Sequence, residues 1–162
     1  MLLKNANIYD ENFDVVRKNI TVEGQRIAAI DDRTDGDTVL DLTGYTILPG
    51  LIDMHIHGCA GVDTGNATPE ALEAMSAMLV THGVTSFCPT SMTLSAEELQ
   101  GIFRNVASMR NTVTGAYIHG VNMEGPYISL AKKGAQAAEH VRTADFDEFS
   151  KLNSICPIKL VD

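Results

Sequence analysis

The stretch Leu51-Ile52-Asp53-Met54-His55-Ile56-His57, followed at once by the glycine-rich run Gly58-Cys59-Ala60-Gly61-Val62-Asp63-Thr64-Gly65-Asn66-Ala67, decides how the rest of the chain is read. In an extended strand alternate side chains share a face, so Asp53, His55 and His57 point one way and Ile52, Met54 and Ile56 the other. A strand in a parallel sheet is usually covered on both faces, and a polar Asp-His-His face then needs partners. Two imidazoles spaced i, i+2 can converge on a divalent cation. Two core histidines bonded to backbone or carboxylates would satisfy the same pattern. The glycine loop places the pair at the C-terminal end of the strand, where ligands bind in open and closed α/β sheets.

Downstream, strand and helix patterns alternate. Thr68-Pro69-Glu70 supplies an N-cap, a proline at the first helical position and an acid in the positive first turn. Leu72, Met75 and Leu79 follow at helical spacing, and His82-Gly83 closes the helix. Val84–Pro89 reads as the second strand. Ser95 and Glu98 form a capping box, after which Leu99, Ile102, Phe103 and Val106 trace one apolar face. Residues 116–124 read as a third strand, with a loop running to about Arg142. Residues 143–153 read as a helix burying Phe146, Phe149 and Leu152, and residues 157–161 open a fourth strand. Alternating βα units imply a parallel sheet with right-handed crossovers.

Upstream the period changes. Residues 1–48 read as short strands, Leu2–Tyr9, Asn19–Glu23, Arg26–Ile30, Val39–Leu42 and Tyr45–Leu48, with Gly24-Gln25 suited to a two-residue type II′ hairpin. Residues 1–48 are thus expected to form a small β-rich layer, and residues 49–162 the α/β part.

The chain has 162 residues with 21 acidic and 12 basic side chains, a formal charge of −9 with neutral histidines. With no Lys/Arg-rich run, this balance argues against nucleic acid or an anionic membrane surface as partner. No apolar run approaches the ~18–20 residues that span a bilayer, and the first residues lack the pattern of a signal peptide. Cys59, Cys88 and Cys156 are odd in number and lack CxxC spacing, which suits a reducing cytoplasm. A closed (β/α)₈ barrel takes ~200–250 residues or more, so a barrel pattern here is expected to be partial.

A second polar strand end lies at Val121-Asn122-Met123-Glu124-Gly125-Pro126. Asn122 and Glu124 share a face, and a buried carboxylate must meet a cation, a set of donors or a proton. It can be a metal ligand or an ion-paired, capping Glu. Ser86, Cys88 and Thr90 read as structural, as do His82 and His119. Cys59 is expected to pack beneath the loop rather than to bind metal.

The motifs ILPGLIDMHIHGCAG (residues 47–61), CPT (88–90), NMEGPYIS (122–129) and KKGAQ (132–136) resemble those of the amidohydrolase superfamily and, within it, the N-acetylglucosamine-6-phosphate deacetylase family. The resemblance covers essentially the whole chain. It implies the first half of a (β/α)₈ TIM-type barrel preceded by a small β-sandwich layer. It further implies that Glu124 binds metal, that His55 and His57 are the strand-one pair permitting a second ion, and that Ala135 and Gln136 contact the amino sugar. The implied cofactor is divalent Zn or Fe, one or two ions. The implied reaction is hydrolysis of the acetamide of N-acetylglucosamine 6-phosphate, by a cytoplasmic enzyme that is a homodimer when intact. Asn122 departs from the family, in which many members carry His. The family's remaining metal-binding histidines and its general acid/base Asp fall beyond residue 162, so the chain is expected to be a fragment, inactive by itself. A dihydroorotase-like or dipeptidase-like hydrolase, or a non-catalytic α/β module, are the alternatives.

Overall fold

Thr68, Ser95 and Asp145 each stand in extended conformation and accept backbone N–H bonds from the turn ahead of them. The three helices begin after these caps, because the orphan donors of a first turn need such acceptors. They are α1 (Pro69–Val80), α2 (Ala96–Met109) and α3 (Phe146–Ile155). In α2 the Ser95–Glu98 capping box is present in both directions. The structure, a computed structural model, describes residues 1–162 and divides into two units, Met1–Pro49 and Gly50–Asp162.

The first unit is one sheet of β1 (Leu2–Tyr9), β2 (Val15–Glu23), β3 (Arg26–Asp31) and β4 (Val39–Asp41), in the order β3-β2-β1-β4. Strands β1 to β3 are antiparallel, and β4 runs parallel to β1. The β2–β3 turn has Gly24 at φ +58, the left-handed value the hairpin needs. Two expectations are corrected. Strand β2 begins at Val15 rather than Asn19, and the expected strand Tyr45–Leu48 is reduced to a single bridge between Asn7 and Thr46. Within this unit the four strands form one sheet. Only Leu2, Ala6 and Ile20 are buried hydrophobics here, and an open apolar groove of about 660 Å³ runs beside Ile8, Phe13, Ile27, Ile30 and Leu48.

The second unit contains β5 (Leu51–Ile56), β6 (Gly58–Cys59), β7 (Val62–Asp63), β8 (Val84–Pro89), β9 (Tyr117–Ile118), β10 (Val121–Met123) and β11 (Ile158–Val161). A parallel sheet has the order β5-β8-β9, and β10 pairs in parallel with β11. A parallel bridge between Thr90 and Asn122 continues the ladder from one to the other. The expected third strand is broken at His119-Gly120, where the chain leaves its pairing with β8 and takes up β11. A Cβ on Gly120 would run into the Pro157 carbonyl. Strands β6 and β7 form a small hairpin inside the glycine-rich loop, which composition alone did not show.

The core lies between the sheet and its helices. Leu72, Met75, Phe87, Leu99, Phe103 and Ile118 are fully buried there. Ser76 ties α1 to the start of β9, its hydroxyl donating to the Ala116 carbonyl and accepting from the Gly115 N–H. A side chain at Gly115 would strike the Ser76 carbonyl, so that approach depends on glycine. One further expectation fails. Helix α3 starts at Phe146, whose ring is 79% exposed, while Leu152 is buried. Asp145 is the cap, so Phe146 is the first helical residue and stands off the packed face. Within residues 1–162 strand β5 is the outer strand of its sheet, and Leu51, Ile52 and Met54 are exposed on it.

Candidate metal centre

Strand parity and strand ends build the site. His55 lies on β5 and His57 directly follows it, whereas Glu124 follows β10, two strands across. Parallel alignment brings these C-terminal ends to one rim. The ligand atoms of His55, His57 and Glu124 all lie within 4.8 Å of one another. Glu124 Oε2 is 2.8 Å from His57 Nε2 and 3.2 Å from His55 Nε2, and the imidazoles meet edge to face at 5.2 Å between ring centres.

The two rings are anchored from behind. His57 Nδ1 lies 3.2 Å from the Thr90 carbonyl, to which it can only donate. Thr90 also accepts the Ile56 N–H through its hydroxyl, so this residue fixes both backbone and ring at the end of β5. His55 Nδ1 lies 2.9 Å from Asp162 Oδ2. With Nδ1 carrying the proton, a neutral imidazole turns the lone pair of Nε2 outward, here toward Glu124. Glu124 Oε2 is buried and has no hydrogen-bond partner of adequate geometry despite the two nearby ring nitrogens. With both rings neutral, two lone pairs and a carboxylate oxygen facing one point repel unless a cation lies between them. Two imidazoles and a carboxylate form a donor set suited to a zinc- or iron-class ion. The residues present therefore fit a divalent metal.

The other Glu124 oxygen, Oε1, accepts from Gln136 Nε2 at 2.6 Å, and Gln136 Oε1 accepts the Thr93 N–H at 2.8 Å. Gln136 is thus buried against the carboxylate, while Ala135 beside it is exposed on the loop. Gly125, at φ +67, turns the chain directly after Glu124, where a side chain would meet the Thr93 hydroxyl. Lys133 donates to the carbonyls of Gly134 and Gln136 and so pins the loop that carries Gln136.

Sequence reasoning missed Asp162, Thr93 and the anchoring role of Thr90. The one available signal was parity, since Asn122 and Glu124 share a face. Burial pushes up the thiols of Cys59, Cys88 and Cys156, all free, so none is a ready thiolate ligand.

Residues 46–154 match the model of the amidohydrolase family, and the chain belongs to that family. Within it the chain is a homologue of the N-acetylglucosamine-6-phosphate deacetylases, corresponding to an N-terminal portion of them. The human enzyme of that name is 32% identical over 146 residues, 85% of this chain and 36% of its own length. The crystal structure of the Pasteurella multocida deacetylase superposes with a TM-score of 0.87 at 28% identity, over 99% of this chain and 43% of that one. A mutant of the Mycobacterium smegmatis deacetylase, solved in complex with N-acetyl-D-glucosamine-6-phosphate, shares the fold with a TM-score of 0.85 at 22% identity, over 99% and 42%. The chain thus spans about two fifths of the length of these relatives.

Proposed function

We propose that this chain forms the first half of a (β/α)₈ amidohydrolase barrel whose reaction is hydrolysis of N-acetylglucosamine 6-phosphate to glucosamine 6-phosphate and acetate. The observation that carries the reading is the unpaired Glu124 Oε2 faced by the Nε2 atoms of His55 and His57. The relatives' names, together with the MEGP and KKGAQ motifs, support the choice of substrate.

When bound, a divalent ion polarises an amide carbonyl and lowers the pKa of water, which brings hydrolysis within reach at neutral pH. His55, His57 and Glu124 would hold it. Thr90 keeps the His57 ring in one tautomer, and Gln136 keeps the Glu124 carboxylate from rotating. Ala135, exposed on the loop, and Gln136 beside it are the residues proposed to contact the sugar. Turnover is proposed for a protein having the barrel length of the relatives, in a reducing cytoplasm and as a homodimer.

The test uses the intact protein. Metal analysis is expected to find a divalent ion that is lost in His55→Ala and Glu124→Ala, and acetate release from N-acetylglucosamine 6-phosphate is expected to fall with it. Hydrolysis of a cyclic amide or dipeptide without acetate release would move the protein to another amidohydrolase reaction. Full metal content in both variants would overturn the site.

A further inference from the structure

The His55 ring is held by residues that nothing in the motifs assigns. Asp162 follows β11, and its backbone is fixed in the ladder with β10: its N–H donates to the Met123 carbonyl, and its own carbonyl accepts from the Gly125 N–H. Its side chain therefore arrives at the metal rim from a third strand end. There Asp162 Oδ2 lies 2.9 Å from His55 Nδ1 and 2.9 Å from Asn122 Nδ2.

Counting protons settles what His55 does. The Asn122 amide has two hydrogens, and Nδ2 has two oxygen acceptors, the Met54 carbonyl at 3.1 Å and Asp162 Oδ2. The 3.3 Å approach of Asn122 Nδ2 to His55 Nδ1 then has no proton left to share. Flipping the amide would set its oxygen against a carbonyl and a carboxylate, so this orientation stands. His55 Nδ1 faces only one group that can pair with it, the Asp162 carboxylate, and must donate to it. Nδ1 thus carries a proton, and in the neutral ring this leaves the Nε2 lone pair facing Glu124.

We propose that Asp162, itself oriented by Asn122, is a positioning residue for His55, selecting the Nδ1–H tautomer and increasing the ring's strength as a metal ligand. This rests on the metal reading above. A carboxylate behind a ligating imidazole is an arrangement whose removal commonly costs about 10- to 100-fold in metal affinity. Asn122 thereby gains a task of its own: it bridges Asp162 to the β5 backbone at Met54.

The experiment uses the intact protein with ¹⁵N-labelled histidine, together with Asp162→Ala, Asp162→Asn and His55→Ala. In metal-free protein, long-range ¹⁵N–¹H spectra are expected to show His55 as the Nδ1–H tautomer, lost in Asp162→Ala. Co²⁺ affinity, read by visible absorption against a competing chelator, is expected to fall about 10- to 100-fold in Asp162→Ala. Asp162→Asn, whose amide oxygen can still accept from Nδ1, is expected to keep the tautomer and lie between the two in affinity. It also serves if the alanine variant fails to fold. An Asp162→Ala protein with unchanged tautomer and Co²⁺ affinity, against a His55→Ala that loses the ion, would overturn the role of Asp162 alone. His55→Ala binding Co²⁺ like the unsubstituted protein would overturn the metal reading and this inference with it.

Discussion

Gln136 joins two loops at the metal rim, its Nε2 donating to Glu124 Oε1 at 2.6 Å while its Oε1 takes the Thr93 N–H at 2.8 Å. The backbone N–H can only meet an oxygen, so the amide cannot turn over, and the carboxylate always meets the NH₂ end. The same carboxylate keeps Oε2 free for a cation.

Gln136→Ala leaves both Glu124 Oε1 and the Thr93 N–H without this partner. Divalent-ion affinity is expected to drop by about 10- to 100-fold in titration calorimetry, as for other groups that orient a metal ligand. A residue serving only the sugar would instead raise KM with ion affinity unchanged.

Arg142 pairs with Glu148 through Nε at 2.9 Å and Nη2 at 2.6 Å, and spends Nη1 on the Leu94 and His140 carbonyls. The Arg142 hydrogen bonds hold the Glu148 carboxyl below its ordinary value of 4.5, outweighing burial, with the Tyr127 hydroxyl helping. A carboxyl lowered in the folded state stabilises above its unfolded value, and that contribution is lost as pH falls through the folded one. Glu148→Gln is therefore expected to cost ~1–3 kcal/mol at pH 7 in urea unfolding. The gap should narrow as pH falls below the ordinary value of 4.5 and vanish once pH is below the lowered folded value.

Ile52 and Met54 present apolar surface on the edge strand β5, each 57% exposed. Ile52→Thr with Met54→Lys is expected to reduce binding of a hydrophobic dye and self-association. In a chain of residues 1–162 by itself neither side chain is in the core, so its unfolding free energy should move by only about 0.5 kcal/mol. A larger loss in urea unfolding would show that this face is packed in solution.

Local rules in the sequence determined the helix starts, since Thr68 and Ser95 satisfy donors within their own turn, and the sharing of one strand face by His55 and His57, since parity is a property of the backbone. Composition could not show that Phe146 faces solvent or that the third strand breaks at Gly120. Each of these depends on which distant strand or helix comes alongside. The metal rim divides the same way. His55, His57 and Glu124 stood out as polar strand ends, but Gln136 behind Glu124 and Asp162 behind His55 became visible only when parallel pairing set residues 12 to 107 positions apart within hydrogen-bond reach. Hydrogen bonds act over a few ångströms of space, and the spacing of residues along a chain does not specify which of them will close that distance.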